Sequence, residues 1–406
     1  MRVTDLEIFI VGNPPPGFGG RYFQFVKLTA DDGTVGYGEV YAAAVGPKAM
    51  TAVIEDVFQR HLEGESPFET ERFIRSCYGS GFTQRPDPTV MGAASGLEMA
   101  CWDLIGKALD RPVRDLIGGT VNRRLRTYTY LYPKPGDDPA GFYADPDASA
   151  EAAVEWVRQG FTALKFDPAG PYTRFGPHQP DMAILDRSEA FCRKVREAVG
   201  DKADLLFGTH GQFTVSGAKR LARRIEPYDP LWFEEPVPPD APERMAEVAR
   251  STKIPVAAGE RLTTKMEIAG FLRAGAVNIV QMNLGRIGGI LEAKKIAAMA
   301  EAYHAQIAPH LYCGPIVGAA NIQIAAASPN FLLLEGIGRW DGFHGRMLKT
   351  PIRWEEGYVI PPDAPGLGVE LDEAVARAHP YEGERLHLEM QPDPYDPSSG
   401  GLFAGG

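Results

Sequence analysis

The sequence predicts an α/β fold: a (β/α)8 TIM-like barrel with an N-terminal α+β capping domain completed by the C-terminal segment. Three observations predict it. Eight short apolar runs alternate with helical patterns between residues 125 and 334. Each run ends in polar residues. A hairpin followed by helical patterns precedes them, with a different rhythm. The domains expected are 1–124 for the cap, 125–348 for the barrel, and 349–406 for a segment returning to the cap with a loose tail.

In the cap, 21–30 and 34–40 are β-rich runs around the turn Asp31-Asp32-Gly33, which reads as a hairpin. Helices are expected at 46–63, 69–77 and 91–109. The GFGG run at 17–20 reads as a mobile loop, because it precedes a hairpin and not a helix.

The barrel strands are expected at 125–132, 161–166, 204–207, 231–233, 255–258, 277–282, 305–309 and 330–334. Helices fit between them at 147–159, 186–199, 214–226, 241–251, 264–274, 287–304 and 316–327. A doubly wound open sheet is the alternative, but no G-x-G-x-x-G follows the first strand. The stretch 390–406 is rich in Pro, Gly and Ser and reads as loose or as an oligomer contact.

Composition narrows the function. With 42 basic against 53 acidic residues, the net charge is −11, so no positive field draws nucleic acid or an anionic membrane. Four scattered cysteines form neither a disulfide framework nor a zinc cluster. There is no signal pattern at the start and no apolar run of about 18 residues, so a cytoplasmic location is expected.

Barrel chemistry sits at the C-terminal strand ends. Reading those ends gives Lys165, Asp167, His210, Glu234, Glu260, Asn283, His310 and Glu335. Spacings of 26 residues separate Gly208 from Glu234 and Glu234 from Glu260, which predicts equivalent positions on three neighbouring strands. Two adjacent carboxylates suit a hard cation such as Mg2+; the competing reading pairs them with Lys or Arg. His210 and His310 fall on opposite strands and suit an acid and a base. Lys165 suits an anionic substrate, or an ion pair with Glu234 or Asp167.

These residues resemble the enolase superfamily, in particular its mandelate racemase-like branch of galactonate- and mannonate-type acid-sugar dehydratases. The resemblance rests on GLEMACWDLIGKALDRPVRDLIGG at 96–119, WFEEPVPP at 232–239, AAGER at 257–261, GRIGGI at 285–290, APH at 308–310 and LLLEGI at 332–337. It implies one Mg2+ per subunit on carboxylates of strands three to five. It also implies abstraction of the proton α to a substrate carboxylate, loss of water to a 2-keto-3-deoxy acid, and a homo-oligomer.

By position, Glu234 and Glu260 match two metal ligands, His310 the strand-seven base, Glu335 the strand-eight acidic residue and Lys165 the strand-two lysine. His210 matches a strand-three acid or base. Three departures stand out. Gly208 replaces the first metal-ligand carboxylate, leaving Asp167 as the candidate substitute and His210 as a softer second choice. Asn283 replaces the aspartate that partners the strand-seven histidine. Asp167 replaces a basic lysine, which argues against a two-base racemase. The resemblance also places substrate contacts on the cap loop, at Phe18, Arg21 and Tyr22, and on the first barrel strand, at Tyr130 and Tyr132. A sugar-acid lactone cycloisomerase and a metal-deficient barrel with a ligand-binding role stay open as alternatives.

Overall fold

The computed structural model describes residues 1–41, 44–82, 85, 87–134 and 136–397. The chain opens with an antiparallel sheet ordered β1 (Val3–Gly12), β2 (Tyr22–Ala30) and β3 (Val35–Val40). The hairpin is where the sequence puts it. Strand β1 goes beyond that reading; its outer residues alternate too weakly to announce a strand.

Three helices follow: α1 (Pro47–His61), α2 (Thr70–Gly79) and α3 (Pro88–Ala108). Helix α3 is apolar on nearly every side and is almost wholly buried between the sheet and the barrel. Its close approach to β3 requires glycine: a Cβ on Gly38 would lie 1.9 Å from the carbonyl oxygen of Gly96.

The barrel strands are β4 (Leu125–Tyr130), β5 (Ala163–Phe166), β6 (Asp204–Gly208), β7 (Trp232–Glu234), β8 (Val256–Ala258), β9 (Ile279–Val280), β10 (Gln306–Ile307) and β11 (Leu334–Glu335). They pair in parallel from β4 through β10, and β11 pairs with β4. Two backbone bonds link the remaining neighbours: Ile307 N–H to Asn330 O and Leu332 N–H to Ile307 O, each 2.9 Å. The ring of strands is thereby continuous. All eight strands fall on the expected runs.

A single apolar layer fills the interior. Tyr128, Ala163, Leu206, Trp232, Ala257, Ile279, Ala308 and Leu333, one from each strand or its flank, form one buried cluster. Because side chains alternate along a strand, the next inward layer toward the strand ends lies two residues on. That layer includes Tyr130, Lys165, Gly208, Glu234, Gln281, His310 and Glu335. The site therefore stands on a packed apolar floor.

The cap is bolted to the barrel by two buried carboxylates. Glu39 accepts the N–H groups of Gly314 (2.5 Å) and Val317 (2.9 Å), at the start of helix 315–326. Glu98 accepts those of Ile290 (2.6 Å) and Leu291 (3.0 Å), at the start of helix 289–302. Each carboxylate satisfies amides that a helix start leaves unpaired.

Beyond residue 349 the chain makes a short hairpin, β12 (Trp354–Glu355) and β13 (Tyr358–Val359), which pairs with β4. It then returns to the cap. Leu367 N–H meets Asp103 of α3, and Tyr381 N–H meets Ile10 O of β1. Two sequence expectations change here. The GFGG run is not a free loop, because Asn13 Nδ2 bonds the carbonyls of Phe18 and Gly20 while Gly20 packs on the His387 ring. The tail is strapped as far as Tyr395, whose hydroxyl donates to Asp181 and whose ring stacks on His178. Residues 398–406 lie outside the described residues. Among those described, no helix is long and apolar enough to cross a membrane.

Candidate active site

Lys165 anchors the site. Its ammonium is fully buried, 2.5 Å from Glu234 Oε1 and 3.7 Å from Glu335 Oε1. Burial works against its charge, but Glu234 and Glu335 outweigh that and hold the pKa well above the ordinary lysine value. Gln281 Nε2 donates to the other Glu234 oxygen at 2.7 Å. Glu335 accepts Leu311 N–H at 2.7 Å, and burial pushes its pKa up to about 7 despite the lysine. Of the sequence alternatives for Lys165, the pair with Glu234 is the one formed.

Gly208 and Glu234 are register partners, as the spacing predicts. Glu260 is not their equivalent. Glu234 pairs with Ala257, so Glu260 stands three residues past that level. Gly259, at φ 142, turns the chain there and redirects the next side chain inward. The outcome is still convergence: one ligand-type atom each from His210, Glu234 and Glu260 lies within 4.8 Å of the others.

Burial opposes ionisation of Glu260, yet the neighbouring imidazoles, Arg261 and Lys165 hold its carboxyl well below the usual carboxylate range. Its Oε2 is buried and has no partner in hydrogen-bond geometry among the described residues. Two buried carboxylates side by side, one with an oxygen outside hydrogen-bond geometry, are a donor pair that fits a divalent cation, with the His210 imidazole beside them. Asp167 is not in that group. Its Oδ2 lies 3.1 Å from His210 Nδ1. Burial lowers the pKa of His210, but the Asp167 carboxylate more than restores it, so the ring titrates above the ordinary histidine value.

His210 sits at φ 49, an uncommon conformation for a residue with a side chain, two residues past the end of β6. Across the mouth, His310 is buried and its pKa is pushed down to about 3, chiefly by burial. Its Nδ1 is 2.8 Å from Asn283 Nδ2, and its Nε2 is 3.3 Å from Glu260 Oε2. The ring of Tyr41 from the cap packs 5.7 Å from the His310 ring.

The expected substrate contacts divide. Phe18 stacks on Tyr132 at 4.0 Å, which lays the cap loop against the end of the first barrel strand. Tyr130 lies under the Lys165 ammonium at 4.8 Å. Arg21 and Tyr22 are not brought to this cluster: Arg21 bonds Leu386 O and faces Glu389, while Tyr22 packs on Tyr381 and His387. Sequence reasoning missed Gln281. Gln281 was within reach, since it stands in inward phase two residues after Ile279.

A buried, convergent constellation at the strand ends of a barrel defines an enzyme. The sequence of residues 19–118 matches the mandelate racemase / muconate lactonizing enzyme N-terminal domain, and that of 148–375 the enolase C-terminal domain-like family. The chain belongs to this mandelate racemase/muconate lactonizing enzyme family of the enolase superfamily. It is 35% identical over 404 residues to a D-xylonate dehydratase of Haloferax volcanii, covering 96% of this chain and 91% of the relative. It is 35% identical over 388 residues to a D-galactonate dehydratase of Ralstonia pickettii, covering 92% and 93%. A crystal structure of a mandelate racemase/muconate lactonizing enzyme from Sulfitobacter sp. superposes with a TM-score of 0.96, at 61% identity over 98% of this chain and 100% of that one.

Proposed function

We propose that the protein is a divalent-cation-dependent acid-sugar dehydratase, acting on an anionic sugar acid and releasing a 2-keto-3-deoxy acid. One observation carries this reading: ligand-type atoms of Glu234 and Glu260 lie within 4.8 Å of each other, and Glu260 Oε2 has no hydrogen-bond partner among the described residues. The names of the dehydratase relatives supply the reaction class.

Glu234 and Glu260 would hold the cation, Mg2+ by family resemblance. Such an ion is ordinarily held by one or two protein carboxylates plus substrate and water. When bound, it supplies a Lewis acid for the substrate carboxylate, which lowers the cost of charge developing there. Lys165 orients Glu234 through their ion pair and adds positive charge beneath the substrate carboxylate. His210 and His310 flank the reacting carbons from opposite sides and carry the proton-transfer and hydrogen-bonding work. Tyr130, Tyr132 and Phe18 cover the substrate and limit water. Asp167 orients His210 in this reading and does not replace the strand-three ligand.

The test is a double substitution, Glu234→Gln with Glu260→Gln. Calorimetric binding of Mg2+ or Mn2+ and turnover of sugar acids should both be lost. Turnover surviving in that variant would refute the reading.

A further inference from the structure

Family resemblance makes His310 the base, but the hydrogen bonds around it assign the opposite. Asn283 is fully buried, and its Oδ1 accepts the backbone N–H of Gly285 at 2.9 Å. That bond fixes the direction of the amide, because the reversed orientation would set its NH2 group against a buried N–H donor. Nδ2 is therefore the atom 2.8 Å from His310 Nδ1, with Cys313 Sγ a weaker acceptor at 3.8 Å. An amide nitrogen offers only protons, so Nδ1 must accept with a lone pair. A neutral imidazole with a bare Nδ1 carries its proton on Nε2.

His310 Nε2 stands 3.3 Å from Glu260 Oε2 but outside hydrogen-bond geometry, so the tautomer rests on the Asn283 contact. Across the mouth the polarity reverses. The Asp167 carboxylate lies 3.1 Å from His210 Nδ1, close by but outside hydrogen-bond geometry; a carboxylate there favours the proton on Nδ1, which leaves Nε2 as the basic nitrogen.

We propose that Asn283, locked by Gly285, holds His310 as an Nε2–H donor, so that the α-proton of the substrate goes to His210. This rests on the dehydratase reading above. The Cα–H bond breaks toward His210 Nε2, and its electron pair enters the carboxylate as an enediolate. His310 donates a hydrogen bond to substrate oxygen that gains charge, as a neutral imidazole can. The Cβ–O bond then breaks, and the His210 imidazolium returns its proton to the departing oxygen. Water leaves, and the enol relaxes to the 2-keto acid. Asn283 is a positioning residue; His210 and His310 are the catalytic ones.

Long-range proton–nitrogen correlation spectra of the full-length protein labelled with 15N-histidine, with and without Mg2+, read the tautomer directly. His310 should show a protonated Nε2 and a bare Nδ1, and Asn283→Asp should exchange them. A proton on Nδ1 in the wild type overturns the proposal. This arm needs no substrate, so it stands or falls apart from the dehydratase reading.

On any sugar acid that turns over, His310→Asn should slow α-proton exchange in D2O and dehydration together without abolishing exchange, because His310 assists the enediolate step that both share. His210→Asn should lose exchange and keep cation binding. Exchange lost in the His310 variant and kept in the His210 variant overturns the assignment. Loss of Mg2+ binding in His210→Asn would make His210 a ligand and overturn its role as acceptor.

Discussion

The Asp167 side chain stands over Gly208: a Cβ added at 208 would lie 3.2 Å from the Asp167 Cβ and 3.8 Å from its Oδ2. The missing strand-three side chain and the carboxylate from strand two therefore share one volume. Position 208 can take an aspartate only if Asp167 yields. Gly208→Asp alone should destabilise the fold by about 1–3 kcal/mol through overpacking. Adding Asp167→Gly should recover much of that loss and tighten Mg2+ binding, because a third carboxylate then joins Glu234 and Glu260. Denaturant unfolding and calorimetry check both effects.

Asp167→Asn keeps the shape but removes the charge facing His210 Nδ1. A wrong tautomer then becomes available to the ring, and kcat should fall by at least roughly 100-fold while KM changes little. Steady-state kinetics on the best substrate read the split.

Docking of the cap depends on Glu39 and Glu98. Burial raises each to about 7, against the backbone N–H groups that favour the charged form. Glu39→Ala would leave the amides of Gly314 and Val317 unpaired in the interior. A loss of about 1–3 kcal/mol is expected, visible as a lower Tm.

Acid sensitivity should trace to Glu373, where the C-terminal helix meets the cap sheet. Its carboxylate lies 2.7 Å from Lys27 Nζ and accepts from Tyr37 and Arg377. Burial pushes the carboxyl up, but these donors outweigh it and bring the pKa down to about 2. Unfolded, it titrates near about 4.3. A depressed folded value means the stabilisation is complete above about 4.3 and fades as pH falls through about 2. Glu373→Gln should lower stability at neutral pH and flatten its dependence across that window, as measured by unfolding at a series of pH values.

Much of this architecture was legible because barrels repeat: every strand run and most helices between them followed from period and polar ends, while the short helix Pro139–Ala144 was not foreseen. The strand-end residues of the candidate site were legible for the same reason, since strand ends in inward phase point into the mouth, whereas the cap residues Arg21 and Tyr22 lie apart from it. Glu260 was found by its carboxylate but misplaced by its spacing, because a glycine at positive φ shifts the phase in a way periodicity does not register. The partnership of Asp167 with His210 and the orientation of the Asn283 amide depend on contacts between different strands. The GFGG loop was misread for a similar reason: the ring that fixes Gly20 belongs to His387, far along the chain.

The most direct test is proton NMR of a panel of sugar acids, each incubated with the enzyme and Mg2+ or Mn2+. At least one acid should be consumed with growth of the methylene signals of a 2-keto-3-deoxy acid, and Glu260→Gln should abolish that conversion. A panel left untouched by protein that demonstrably binds the cation would contradict the account.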